Sequence, residues 1–205
     1  MRMTSTIMGM LAAAALAGSA PATTGTPAEA VVQELNASLL DVMKEAGKLD
    51  YAARYQKVEP VVDAAFDVDF MAEKSLGRHW RGLSTDEQKQ WKDLFRRFMV
   101  ANYAGRFDRY SGQSFEQHGT EEGAYDTVMV QTTLVNPGDE NIDLNYRLRQ
   151  TDAGWRVVDI YLKGTVSELA LRRSDYSAVM KRDGFAALAS YLSGKIEALA
   201  AGTPR

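Results

Sequence analysis

Few side chains in this sequence are suited to chemistry, and they are scattered. The 205 residues include no cysteine and two histidines, His79 and His118, neither with a second histidine or a glutamate at metal-ligand spacing. Zinc, iron–sulfur and haem sites therefore lack their usual donors, and no metal or catalytic cofactor is expected. No nucleophile elbow, phosphate-binding loop, dinucleotide fingerprint or HExxH motif occurs, and no serine has a local His or Asp partner. Asp159 stands apart. Alternation along 155–162 puts it on one strand face with Trp155, Val157 and Tyr161, as a partly buried carboxylate. Such a group is either an ion pair or helix cap, with Arg172 or Arg173 as candidates, or a general base in the cavity of a cone-fold isomerase or dehydratase. The first use is favoured, so no catalysis is expected. Arg78, Arg81, Arg172 and Arg173 flank apolar segments, where a guanidinium on solvated surface would also suit a phosphate group.

The elements that position these groups follow from periodicity. Thr26 as N-cap with Pro27 at the first helical position predicts a helix through Val31, Leu35, Leu39 and Val42, with Gly47 as a left-handed stop. Asp50 starts a second helix that Pro60 breaks, and Asp69 caps a third that carries Phe70, Met71 and Leu76 to Gly77. The capping-box spacing of Ser84 and Glu87 opens the longest helix, about 85–108, with Trp91, Leu94, Phe95, Phe98, Met99, Tyr103 and Phe107 on one face. The period then changes to two, weakly at 114–117 and clearly over 125–135, 141–150 and 155–162. Short turns at Asn136-Pro137-Gly138-Asp139 and Thr151-Asp152-Ala153-Gly154 make this an antiparallel meander. Helical spacing returns from Ser167, and Gly184 separates a final helix. The expected class is α+β, with helices packed on a strongly twisted antiparallel sheet.

At the start of the chain, Arg2 precedes an apolar run of about 11 residues, Ile7 to Ala17, and small residues at Gly18 to Ala22. That is the pattern of a secretory signal peptide at 1–22, cleaved after Ala20 or Ala22, leaving a single exported domain over 23–205. Cysteine is absent, so neither a lipoprotein anchor nor a disulfide is available. Without Arg2, 23 of the 24 Lys and Arg face 27 Asp and Glu, a net charge of −4 that disfavours nucleic acid as a partner.

The large apolar residues exceed what one sheet face needs. A half-open cup between meander and helices serves as ordinary core or as a pocket for acyl chains, each buried methylene being favourable by about 0.8 kcal/mol. The lining expected for such a pocket is Phe70, Met71, Leu76, Trp80, Phe95, Phe98, Met99, Tyr103, Val130, Leu144, Tyr146, Leu148, Val157, Tyr161 and Leu169.

Two blocks carry a family resemblance. Trp80-Arg81-Gly82-Leu83-Ser84, Gln88, the aromatic helix Trp91 to Phe98 and Asn102-Tyr103-Ala104 form the first. Tyr146-Arg147-Leu148, Gly154-Trp155-Arg156-Val157-Val158-Asp159-Ile160, Gly164, Val166-Ser167, Arg173 and Tyr176 form the second. Together they resemble the MlaC, or toluene-tolerance, family of periplasmic phospholipid shuttles, auxiliary to ABC transporters. Gly164-Thr165-Val166-Ser167 has one residue more than the family's Gly-Val-Ser, and Gly164 through Tyr176 looks closer to the hopanoid-associated HpnM branch. The resemblance implies a monomer that carries a phospholipid or hopanoid-type lipid between envelope membranes. It also implies exchange with a membrane-bound ABC-transporter or substrate-binding assembly and with an outer-membrane partner, in the service of outer-membrane lipid asymmetry. A non-catalytic envelope adaptor is the further alternative.

Overall fold

The computed structural model describes residues 25–202, so the leader expected at 1–22 lies outside the described residues. Helix α1 (Pro27–Glu45) begins with a reciprocal cap: Glu29 N donates to Thr26 Oγ1 at 3.3 Å, and Thr26 N donates to the Glu29 carboxylate at 2.6 Å. Its buried stripe contains Val32, Leu35, Leu39 and Val42. Gly47 is not the left-handed stop expected of it, because the chain stays right-handed and tightens into a 3-10 turn over Ala46–Lys48. Helix α2 (Tyr51–Ala65) is capped by Asp50 and runs through Pro60. The helix tolerates Pro60 because Gln56 and Pro60 are both exposed, leaving the orphaned carbonyl to water, while Val58 and Val62 are wholly buried on either side.

Helix α3 (Val68–Leu76) is capped by Asp67, not Asp69. The chain leaves α2 extended at Phe66 and pairs there with Val157, Asp67 N donating to Val157 O at 2.9 Å, so Asp67 is the residue poised to cap. Gly77 (φ 53°) ends α3 and opens a 3-10 stretch over Gly77–Gly82. Helix α4 (Thr85–Arg106) has the expected Ser84–Glu87 capping box and packs against α2 and α3. Helix α5 (Glu168–Ala200) consists of two helical segments broken at Gly184 (φ 79°, ψ −175°), the break expected there, and also packs on α4.

Between α4 and α5 lies a five-stranded antiparallel meander: β1 (Ser114–Gly123), β2 (Thr127–Val135), β3 (Ile142–Thr151), β4 (Gly154–Leu162) and β5 (Val166–Ser167), in that spatial order. The class is α+β, as expected. β2 begins two residues after its expected start because Tyr125 and Asp126 (φ 59° and 54°) form a left-handed turn.

One strand departs from simple alternation. Arg147 of β3 faces Asp159, whereas its neighbour Leu148 faces Val157, so Val158 is an extra residue in β4. Trp155 and Val157 lie on the inner face with Leu148. Beyond the bulge Ile160 and Leu162 take that face, opposite Tyr146 and Leu144. Asp159 and Tyr161 are thereby turned to the outer face, contrary to the expectation that all four share one.

Candidate functional site

The inner sheet face and the helices enclose a cavity of about 830 Å³. β2, β3 and β4 supply Leu134, Leu144, Tyr146, Ile160 and Leu162; α4 supplies Phe95, Met99 and Tyr103; Met43, Met71, Leu169 and Leu199 close it from α1, α3 and the two ends of α5. Its volume falls within the range of small-molecule sites, about 300–1,000 Å³. Two of its lining residues, Phe95 and Tyr146, are under 2 % exposed. Three unbranched thioethers, Met43, Met71 and Met99, also line it and can repack at small energetic cost.

Polar groups converge on the mouth. Asn102, Arg106, Asp108, Arg109, Asp139, Glu168 and Arg172 all line it, giving three cations and three carboxylates. Arg106 Nε donates to Asn102 Oδ1 at 3.1 Å; Arg172 donates to Glu168 at 3.1 Å, its guanidinium 4.7 Å above the Phe98 ring. Inside, the Tyr146 hydroxyl donates to Asn36 Oδ1 at 3.0 Å, both groups buried. Burial raises the Tyr146 phenol above its ordinary range and raises Tyr103 well above it, so both are neutral at physiological pH. Neither offers a base to a ligand.

Of the fifteen residues expected to line a pocket, Met71, Phe95, Met99, Tyr103, Leu144, Tyr146 and Leu169 border this cavity. Leu76, Val130, Leu148 and Val157 are wholly buried core beside it, and Phe98 is buried beneath Arg172. Trp80 packs half-buried against that core. Phe70 and Tyr161 border a different cleft on the outer sheet face. Ile160 and Leu162 were missed because the bulge shifts alternation by one residue, and nothing in the residue types announces that shift. Met43 belonged to a helix face already recognised as apolar. Arg78 and Arg81 are exposed and border neither space.

Asp159 has both carboxylate oxygens engaged in hydrogen bonds. Its Oδ1 accepts from Ile160 N at 2.8 Å and Leu169 N at 3.1 Å, and its Oδ2 accepts from Ser167 Oγ at 2.5 Å. The carboxylate thus ties β4 to the start of α5 through Ser167 and backbone amides, and not through Arg172 or Arg173. Desolvation raises its pKa, with these three hydrogen bonds and the Arg147 charge opposing. It stands on the sheet face away from the inner cavity. The His118 ring nitrogen is 2.8 Å from Thr133 Oγ1, and among the described residues no group of three or more His, Asp or Glu is placed to hold a metal ion. No helix among the described residues is long and apolar enough to cross a membrane.

A family model described as MlaC protein matches residues 33–194. The chain belongs to the MlaC family. Comparison with curated protein sequences gives no match. Among solved structures, a phospholipid-binding protein from Ralstonia solanacearum, in complex with a phospholipid, superposes with a TM-score of 0.70 and 23 % identity, over 85 % of this chain and 97 % of that one. At that identity the likeness is one of fold. In this MlaC-family chain the matched region contains the whole meander and all of α4, the elements that wall most of the cavity.

Proposed function

We propose that this chain is a non-catalytic periplasmic lipid carrier, a single domain over 23–205, released by removal of a signal peptide at 1–22. It holds the acyl chains or ring system of a phospholipid or hopanoid-type lipid in the inner cavity. The observation that carries the reading is the cavity itself: apolar walls, three buried, adaptable methionines and charged groups mostly at its solvent-exposed side. Tails entering it exchange water for side-chain contact at about 0.8 kcal/mol per methylene, while a headgroup stays wet beside Arg106, Arg109 and Arg172. Reversible loading follows from the open mouth, and delivery between envelope membranes follows from transfer to an ABC-transporter or substrate-binding assembly and an outer-membrane partner. The family assignment and the phospholipid-bound fold relative support the lipid; the segment Gly164 to Tyr176 supports the HpnM-like branch. The carrier is favoured over the isomerase alternative because Asp159 does not line the inner cavity and both its oxygens accept hydrogen bonds. A purely structural adaptor has no use for the cavity.

The deciding experiment is native mass spectrometry with lipid extraction on protein purified from the periplasm without detergent. A one-to-one adduct establishes the carrier and names its cargo. A bare protein mass that persists after incubation with vesicles overturns the reading.

A further inference from the structure

The outer face of the sheet carries a second cleft of about 640 Å³, which shares Leu169 with the inner cavity as a lining residue. Lys74, Arg147, Arg149 and Arg173 line it against one carboxylate, Asp159. Two of the cations are matched elsewhere: Arg149 pairs with Asp67, and Lys74 pairs with Glu73 at 2.7 Å. Arg147 and Arg173 are not. Arg147 is fixed by neutral acceptors, donating through Nε to Thr127 Oγ1 and through a terminal nitrogen to Ala124 O, both at 2.9 Å. Arg173 has no hydrogen bond or ion pair among the described residues, yet its position is built: its stem lies over Gly77, where a Cβ would come within 3.0 Å of Arg173 Cδ. Asp159 offsets part of this charge, but its oxygens are taken by three donors, so it can move toward neither arginine without losing them. The cleft also offers the hydroxyls of Thr127, Tyr125 and Tyr161, and Tyr125 is 91 % exposed at its rim.

We infer that this outer cleft is an anion site for a phosphate-class oxyanion, held between Arg147 and Arg173. Neither guanidinium is in a salt bridge among the described residues: Arg147 is fixed by neutral acceptors and faces an Asp159 whose oxygens are already taken, and Arg173 packs by its stem over Gly77, so both offer donors of the kind a phosphate oxygen set accepts. The source is either a soluble phosphate ester or a headgroup at a bilayer surface. The inference does not rest on the lipid-carrier reading, because Arg147 and Arg173 line the outer cleft and not the inner cavity.

The test measures binding of sn-glycerol 3-phosphate by calorimetry at low salt, and co-sedimentation with phosphatidylcholine vesicles with and without about 30 mol % phosphatidylglycerol. Wild type is expected to bind the ester or the anionic vesicles, and R147Q/R173Q to bind at least tenfold more weakly. R173Q alone, which removes no hydrogen bond of the fold, guards against a folding defect and is expected to lose several-fold. Binding of the ester alone assigns a soluble ligand; binding of anionic vesicles alone assigns a membrane headgroup. Absence of both, or binding unchanged by the substitutions, overturns the site. Lipid retained in the inner cavity, read by native mass spectrometry on the same variants, is expected to be unaffected, so failure of either proposal is seen separately.

Discussion

At the scale of single residues, the contrast between Leu144 and Asp159 separates a cavity wall from a structural tie. Leu144 is half-buried on β3 and borders the inner cavity. Leu144→Asp puts a carboxylate where tails would pack, and because the position is not wholly enclosed the protein should fold while losing its lipid in native mass spectra. A folded variant that kept its lipid would remove Leu144 from the site. For Asp159 the expectation concerns pH. Its folded pKa is raised, so between its ordinary value and the raised one the folded chain holds a proton that the unfolded chain has released. The stability this confers is complete below the unfolded value and is lost as pH rises through the folded one. Asp159→Asn cannot titrate, so urea unfolding across that window should give a flatter stability–pH curve than wild type. Lipid loading should be unchanged, which a base acting in the lipid cavity would not allow.

At the scale of elements, the features legible in the sequence were those written in a few adjacent residues. The Thr26 cap, the Ser84–Glu87 capping box, the stops at Gly77 and Gly184 and the meander's turns are local chemistry, and all are present. What escaped depends on distant partners. The cap at Asp67 follows from Phe66 pairing with Val157, 91 residues away in the chain, and the passage of α2 through Pro60 follows from buried valines on either side. The β4 bulge, invisible to a period-two count, moved Asp159 and Tyr161 out of the cavity and Ile160 and Leu162 into it. Gly184 offers a test of a local rule. Its φ of 79° with ψ of −175° is a region essentially reserved for glycine, and a Cβ there meets nothing within 4 Å. Gly184→Ala should therefore destabilise by about 1–3 kcal/mol through backbone strain alone, with little change in near-UV dichroism of the folded state. A neutral effect in urea titration would mean that the break in α5 is not held.

At the scale of the whole molecule, stability and loading should be the same measurement. A space of about 830 Å³ whose Leu, Ile, Met and aromatic walls give way to charged groups either fills with lipid or forfeits contacts along its apolar lining. Lipid that binds only the folded chain raises stability by mass action, about 2.7 kcal/mol when free ligand stands at one hundred times its dissociation constant. For a chain of this length each kcal/mol moves the midpoint by about 2–4 °C, so delipidated protein should melt roughly 5–11 °C below loaded protein. Calorimetry on delipidated, reloaded and as-purified samples checks this, and Leu144→Asp supplies the control. That variant should melt at one temperature whether or not lipid is offered, because the filled cavity is the only thing the three samples of wild type do not share. Equal midpoints in all wild-type samples would mean that the inner space is dry core that closes on itself, and the carrier reading would fall with it.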